Sequence, residues 1–336
     1  MNADSPAAPR PSSRARWIFA AKVGVTLVLC AVIIAYADWA EVATALARAD
    51  PSLTALVMAL AVLSIPLTAL KWQRFLAVFD LHPPFGALQR WVATGAFVNA
   101  FLPTNVGGDG YRLYASARAS GSRGAALLAL LSERGVGFAA LLVLGTAAAA
   151  VAAADRGDAF SASFAWIGLA LSVLGGATFL AVGYTRALPR LGRRLNPSGK
   201  AAKLATAADQ LYRRPRLVAE GVATSFVFHL NRIVWSWVLM QALGVEMSPV
   251  GLTVAIAAST TTGLAPVSLG GLGVVDTSLI FLLQHYGAPP NAAIGAALLT
   301  RLAALPVQLL GAAFYFASSS ADRGLRTATS KTQEAS

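Results

Sequence analysis

Pro103-Thr104-Asn105-Val106-Gly107-Gly108-Asp109-Gly110 and Pro266-Val267-Ser268-Leu269-Gly270-Gly271-Leu272-Gly273 share the pattern P-x-x-x-G-G-x-G and begin 163 residues apart. Each lies in the middle of a stretch apolar enough to enter a bilayer, residues 88–116 and 250–285. Glycine permits tight turns and close backbone approach, while proline ends a helix and presets the turn that follows. Broken apolar segments at corresponding places of two halves mark the binding region of membrane transport folds. The pair predicts an all-α polytopic membrane protein whose chain contains two versions of one unit.

The rest of the chain fits that reading. Hydrophobic residues make up 56% of 336 and charged residues 12%, and the mean hydropathy is +0.62; soluble domains do not show this balance. Apolar runs near the roughly 20 residues needed to cross a bilayer fall at 17–36, 53–79, 124–153, 163–184, 217–243 and 291–317. Residues 1–16 and 318–336 are rich in Ser, Ala, Pro, Thr and charge and read as disordered. Arg14 and Arg16 ahead of an apolar run ending in Ala35-Tyr36-Ala37 imitate a secretory signal. An apolar core of about 18 residues exceeds the roughly 7–15 of a signal, so the segment reads as a retained anchor. Cys30 stands alone, which excludes an intramolecular disulfide and a cysteine metal cluster.

A net charge of +12 would suggest nucleic acid in a soluble chain; here it follows the membrane, and no nucleic-acid partner is expected. Residues 185–216 hold nine Lys or Arg against Asp209 alone, while 38–52 carry Asp38, Glu41 and Asp50 against Arg48. By the positive-inside rule both termini and 185–216 are cytoplasmic, and 38–52 and 154–162 lie outside. Arg90 on one flank of the first motif segment and Arg112, Arg118 and Arg123 on the other place both its ends inside, so 88–116 enters and returns. The second segment, flanked by Glu246 and by neutral residues 284–291, re-enters from the opposite face. Each unit, 17–153 and 163–317, then has three crossings and one re-entrant hairpin, and the odd number of crossings makes the two repeats inverted. Abundant alanine, and arginine in preference to lysine, read as a GC-rich bacterial genome and hence a cell inner membrane.

Non-helical backbone at membrane depth survives only where protein or a water-filled cavity satisfies it. The tips, with Pro103, Gly107 and Gly108 in the first and Pro266, Ser268, Gly270, Gly271 and Gly273 in the second, are expected to face a shared polar cavity. A helix starting after each tip would aim its free N–H groups at an anionic headgroup. The plainer reading is that the glycines only let helices pack closely. Charges at depth say more: Asp109, Arg112, Glu133, Arg134, His229, Arg232, Asp276 and Arg301 all fall within the apolar segments. An ionised group there costs from about 2.5 kcal/mol upward and usually faces an interior cavity. His229 and Arg232 share one helical face. Either these residues form structural salt bridges, such as Asp109 with Arg112, or the surplus arginines await an anion such as a lipid phosphate. Lys71 and Arg74 read as interfacial snorkelling residues, Trp72 and Trp91 as an aromatic belt, and His82 and His285 as loop residues. Three scattered histidines make no metal site. Phosphate-loop, nucleophile-elbow and zinc-protease patterns are missing, so neither a cofactor nor catalysis is expected. Residues 185–216 read as an amphipathic helix on the anionic leaflet.

Phe97-Val98-Asn99, the first motif through Asp109 and Arg112, Glu133-Arg134-Gly135, and the second motif through Asp276 together resemble the lysylphosphatidylglycerol synthase transmembrane region family, also called flippase-like domain proteins. The resemblance spans residues 17–317. It implies a membrane region that moves modified lipids between leaflets, with Asn99 and the motif residues at the site. Two-domain relatives carry a separate cytoplasmic acyltransferase-like domain, which is not found here, so the synthase activity is not implied. Stand-alone relatives are associated with polyprenyl-phosphate sugars, hopanoids or undefined lipids. This chain departs from the family at Asp276, where glutamate is common, and at Leu269, where proline is common. The expectation is a translocator of anionic lipids working beside a separate lipid-modifying enzyme. The alternatives are a membrane-embedded transferase, with Asp109 or Glu133 as general base, and a scaffold for a lipid enzyme.

Overall fold

In the computed structural model, residues 13–101, 107–185, 209–263 and 273–317 are described. Outside them lie Pro103, Pro266, Ser268, Gly270 and Gly271, most of the expected amphipathic helix at 185–216, the tail after 317, and residues 1–12. Among the described residues the chain is helical throughout. The helices are α1 (Ser13–Tyr36), α2 (Trp39–Ala47), α3 (Pro51–Val78), α4 (Phe85–Phe101), α5 (Gly107–Ser120), α6 (Arg123–Arg156) and α7 (Ala159–Thr185). They continue as α8 (Pro215–Ala242), α9 (Pro249–Thr262), α10 (Val274–His285) and α11 (Pro290–Ala303), the last extended after a one-residue break by 305–317.

Local chemistry explains the boundaries. Asp50 accepts from the Ser52 and Leu53 N–H groups ahead of Pro51, and Ser248 caps α9 ahead of Pro249. Proline in the first turn loses only an N–H that has no helical partner. Gly157, with φ 65°, ends α6 in the left-handed conformation that glycine adopts without a Cβ penalty. Two boundaries differ from the sequence reading. Residues 13–16, expected to be disordered, begin α1, where nothing breaks the helix between Ser13 and the apolar run. Residues 39–47, expected to be a loop, form α2, because Asp38 caps the chain there and Val42 buries against the core.

Four described segments are both long and apolar enough to cross a membrane: Pro51–Val78, Arg123–Arg156, Ala159–Ala181 and Pro290–Ala317. A fifth forms if α1 and α2, bent by 80°, count as one. Helix α8, expected as an ordinary span over 217–243, has the length at 28 residues but not the composition. It carries Arg216, Glu220, His229 and Arg232 and is accommodated by packing along α3. There Gly221 leaves room for Phe75, whose ring a Cβ would meet at 2.7 Å. The protein is a multi-pass membrane protein.

Helices α4 and α5 pack on one another, as do α9 and α10. With 17, 14, 14 and 12 residues, at about 1.5 Å per residue, none reaches the roughly 30 Å of a hydrocarbon core. The interior falls into two apolar clusters. One gathers Trp72, Phe75, Leu76 and Leu88 around α3, and the other gathers Leu252, Ile256, Leu283 and Ile294 around α9 to α11.

Candidate functional site

The first tip is held by its own neighbours. Asn99, near the end of α4, accepts a hydrogen bond from the Gly108 N–H at 2.8 Å, covering one of the free donors at the start of α5. A Cβ on Gly95 would lie 2.9 Å from the Gly108 carbonyl, so the two helices touch backbone to backbone. The next residue, Asp109, accepts from Arg112 at 3.2 Å and from Arg134 of α6 at 2.5 Å. Arg112 also reaches Glu133 at 3.1 Å, and the other oxygen of Glu133 pairs with Lys71 Nζ at 2.5 Å. Glu133 and Lys71 are almost fully buried, with side-chain exposures of 1% and 5%. The guanidinium of Arg112 stacks 4.3 Å over the Trp72 ring, and Lys71 Nζ lies 4.7 Å from the centre of Phe228. Aromatic faces stabilise such cations where water is scarce.

These contacts correct three expectations. Lys71 does not snorkel to an interface: it lies inside α3, more than one turn short of its end at Val78, and is neutralised by Glu133. Trp72 is wholly buried beneath Arg112 and meets Trp91 edge-on at 6.1 Å, so it belongs to the core rather than to a surface belt. His285 is the last residue of α10 rather than a loop residue, and its Nε2 lies 3.3 Å from Asp158. Arg74, in contrast, is half-exposed and pairs with Glu220 at 3.3 Å.

The second tip is built differently. Gly273, with φ 81°, precedes α10 and donates its N–H to Asp276 at 3.1 Å. Leu29 of α1 closes over Gly273, where a Cβ would meet it at 2.8 Å. Asp276 receives both Arg301 Nε and Nη2, at 3.1 and 2.8 Å on one oxygen and 2.7 Å on the other. Bidentate pairing of this kind fixes both planes. Arg232 of α8 has its Nε sealed from solvent and no hydrogen-bond partner among the described residues. His229, one turn earlier and buried, donates from Nε2 to the Gly137 carbonyl at 2.8 Å, and its Nδ1 has no hydrogen-bond partner among the described residues.

The sequence model of the lysylphosphatidylglycerol synthase transmembrane region matches residues 19–311. The chain belongs to that family. None of the curated proteins compared with it is similar enough to count as a relative.

For this member of the lysylphosphatidylglycerol synthase transmembrane region family, the structure assembles the predicted residues into two groups. Asn99, Gly107, Gly108, Asp109, Arg112, Glu133 and Arg134 meet around the start of α5, and Gly273, Asp276 and Arg301 around the start of α10. His229 joins neither ion-pair group. Lys71 is the functional candidate the sequence reading missed; its position well inside an apolar run was the available signal. Among the described residues, no three His, Cys, Asp or Glu side chains are placed to hold a metal ion.

Proposed function

We propose that the protein is a lipid translocator that moves a lipid with an anionic headgroup between the leaflets of a bacterial inner membrane, with both termini cytoplasmic and without catalysing a reaction. The observation that carries this reading is the charge left over in an apolar helical bundle. Lys71, Arg112, Arg134, Arg232 and Arg301 face Asp109, Glu133 and Asp276. Excess guanidinium groups beside helix N-termini stabilise phosphate oxygens. The apolar flanks would keep acyl or prenyl chains in lipid while the headgroup crosses.

Two inverted repeats with re-entrant hairpins support the mechanism. Helices α3, α4, α5 and α6 recur as α8, α9, α10 and α11, their starts 164 to 167 residues further on. Helix α3 packs along its own counterpart α8, as an internal two-fold axis requires. The close approach of Gly145 to Ala257 is echoed, to within one residue of register, by that of Gly311 to Ala93. Asp109 and Arg134, then Asp276 and Arg301, are two ion pairs of the same 25-residue spacing. In this reading the hairpins enter from opposite faces, and the halves expose the headgroup path to each side in turn.

The test is headgroup-resolved transbilayer movement in proteoliposomes, comparing anionic, zwitterionic and polyprenyl-phosphate lipids, with and without an ion gradient. Movement selective for an anionic class, above that of protein-free vesicles, is expected. No movement by folded protein under any gradient would sink the reading and favour the transferase or scaffold, working with a separate lipid-modifying enzyme.

A further inference from the structure

Helices α3 and α8 run antiparallel along one another, and the two ends of the pair are closed in different ways. Where α3 begins and α8 ends, the closure is backbone: the Asp50 N–H donates to the Ala242 carbonyl at 2.9 Å, and Val238, Leu239, Met240 and Ala242 are buried there. Where α3 ends and α8 begins, the closure is made by side chains. Arg214, just ahead of Pro215, gives α8 no side-chain cap and reaches across to α3 instead. Its Nη1 donates to the Ala77 carbonyl and its Nη2 to Asp80 Oδ1, both at 2.6 Å. Arg74 and Glu220 make a second cross-pair at 3.3 Å, and no residue of α8 ahead of Gly221 is fully buried. Among the described residues Asp80 is also the only non-glycine with a positive φ, 59°. The same turn recurs after α8, where Gly244 takes φ 68°: the Leu81 N–H returns to Leu76 and the Val245 N–H to Met240, each at 3.0 Å. Glycine adopts that conformation without a Cβ penalty and aspartate does not, so the turn alone favours glycine at both places. What Asp80 adds is the carboxylate that holds Arg214.

We propose that Asp80 and Arg214 form a latch, which lets the first turns of α8 lift from α3 while the Asp50–Ala242 end of the pair stays fixed. Both partners are partly exposed, at 60% for Asp80 and 34% for Arg214, so water and salt weaken their attraction and the contact opens and closes readily. The backbone bond at the other end lies beside buried apolar side chains and is insensitive to salt. The face of α8 that lifting uncovers carries Ser225, which is fully buried, Phe228, whose ring lies under Lys71, and His229, which donates to the Gly137 carbonyl. Opening at the Asp80 end therefore leads toward the buried pair of Lys71 and Glu133. In the orientation of the translocator reading this end is cytoplasmic, and the latch governs access to the cluster from that side; that role rests on the reading, whereas the latch itself rests on the contacts.

The experiment follows modification of a single buried thiol by a water-soluble maleimide, in purified full-length protein carrying Cys30→Ser, in detergent. Ser225→Cys reports on the latch end and Ala242→Cys on the fixed end, both positions being buried. Asp80→Asn removes the charge and tolerates a positive φ. It should speed modification at Ser225→Cys about three- to fivefold, the scale on which one partly exposed ion pair holds a local opening closed, and leave Ala242→Cys unchanged. Asp80→Gly should give the same acceleration without lowering the unfolding temperature, because glycine suits the turn. Raising NaCl from about 0.05 to about 0.5 M should speed the reaction at Ser225→Cys more with Asp80 present than in Asp80→Asn. Unchanged modification in folded Asp80→Asn, an equal rise at Ala242→Cys, a rise that Asp80→Gly does not share, or a salt effect that ignores Asp80 would each overturn the proposal. Should an Asp80 variant fail to fold, Arg214→Gln is expected to give the same acceleration and decides the matter. If modification behaves as expected while proteoliposomes move no lipid, the translocator reading fails and the latch stands. If lipid moves but modification ignores Asp80, the reverse holds.

Discussion

The two halves place an aspartate and an arginine in the same way and surround them differently. In the first half, Asp109 and Arg134 are joined to Arg112, Glu133 and Lys71 in one continuous chain of contacts, in which Lys71, Glu133 and Arg112 are buried, Arg112 against Trp72, and Arg134 is half-exposed. In the second, Asp276 and Arg301 stand by themselves: Leu279 is found where Arg112 would be, three residues after the aspartate, and Thr300 where Glu133 would be, just before the arginine. Asn99 of α4 covers the start of α5, whereas Gly273 at the start of α10 is covered by Asp276 of the same helix. Around two aspartate–arginine pairs of equal spacing, the first half thus builds a connected cluster of three cations and two carboxylates, and the second a single ion pair.

The largest expected effect comes from breaking the closed half. Glu133→Gln strips Lys71 and Arg112 of a shared carboxylate and should cost about 3–5 kcal/mol, read as a lowered unfolding midpoint in detergent. Thr300→Ala, at the matching place, should cost no more than about 1 kcal/mol, the scale of one neutral hydrogen bond. Equal losses would mean that the halves do not differ in the way described. Next in size, Gly145→Val and Gly311→Val should be similar to each other, at about 1–3 kcal/mol each. Both glycines lie against α9 or α4, and a side chain would collide with Ala257 and Phe164 or with the Ala93 carbonyl and Phe97. A large inequality between them would break the correspondence of the halves.

A smaller contrast separates the two aspartates. Asp109→Asn frees two arginines and should cost about 1–3 kcal/mol in stability. Asp276→Asn, whose one ion-pair partner is half-exposed, should cost about 1 kcal/mol or less. The smallest effect lies where the halves meet, at the turn between α6 and α7. There burial alone would raise the Asp158 carboxyl, but the Ser161 hydroxyl and N–H and His285 together hold it below its usual value. A depressed carboxylate adds stability that is present above its unfolded pKa of about 3.9 and is lost as pH falls through the lower folded value. The unfolding temperature of wild type should therefore drop more than that of Asp158→Asn on acidification from about pH 6 to about pH 3; parallel curves would remove His285 and Asp158 as a joint.

The sequence by itself determined the membrane environment, most of the helices, the family, and the two glycine tips with an aspartate after each. Those properties are local. Hydropathy, caps and prolines act within one element, and a repeated motif declares itself wherever it lies. The tertiary structure alone decided which charges are spent. Lys71, read as a surface residue, is buried against Glu133 because α3 and α6 bring together residues far apart in the chain. Trp72 became a lid on Arg112 rather than an anchor in lipid for the same reason. The polar character of α8 was visible as four charged or ionisable residues, but only its packing along α3 shows how a helix of that composition is accommodated. Ion pairing depends on how helices cross and which faces meet, and a single element's composition carries no record of its neighbour's. That is why Arg112 and Arg232, alike in sequence as arginines within apolar segments, end differently: Arg112 is ion-paired with Asp109 and Glu133, whereas Arg232 has no carboxylate within ion-pair reach among the described residues.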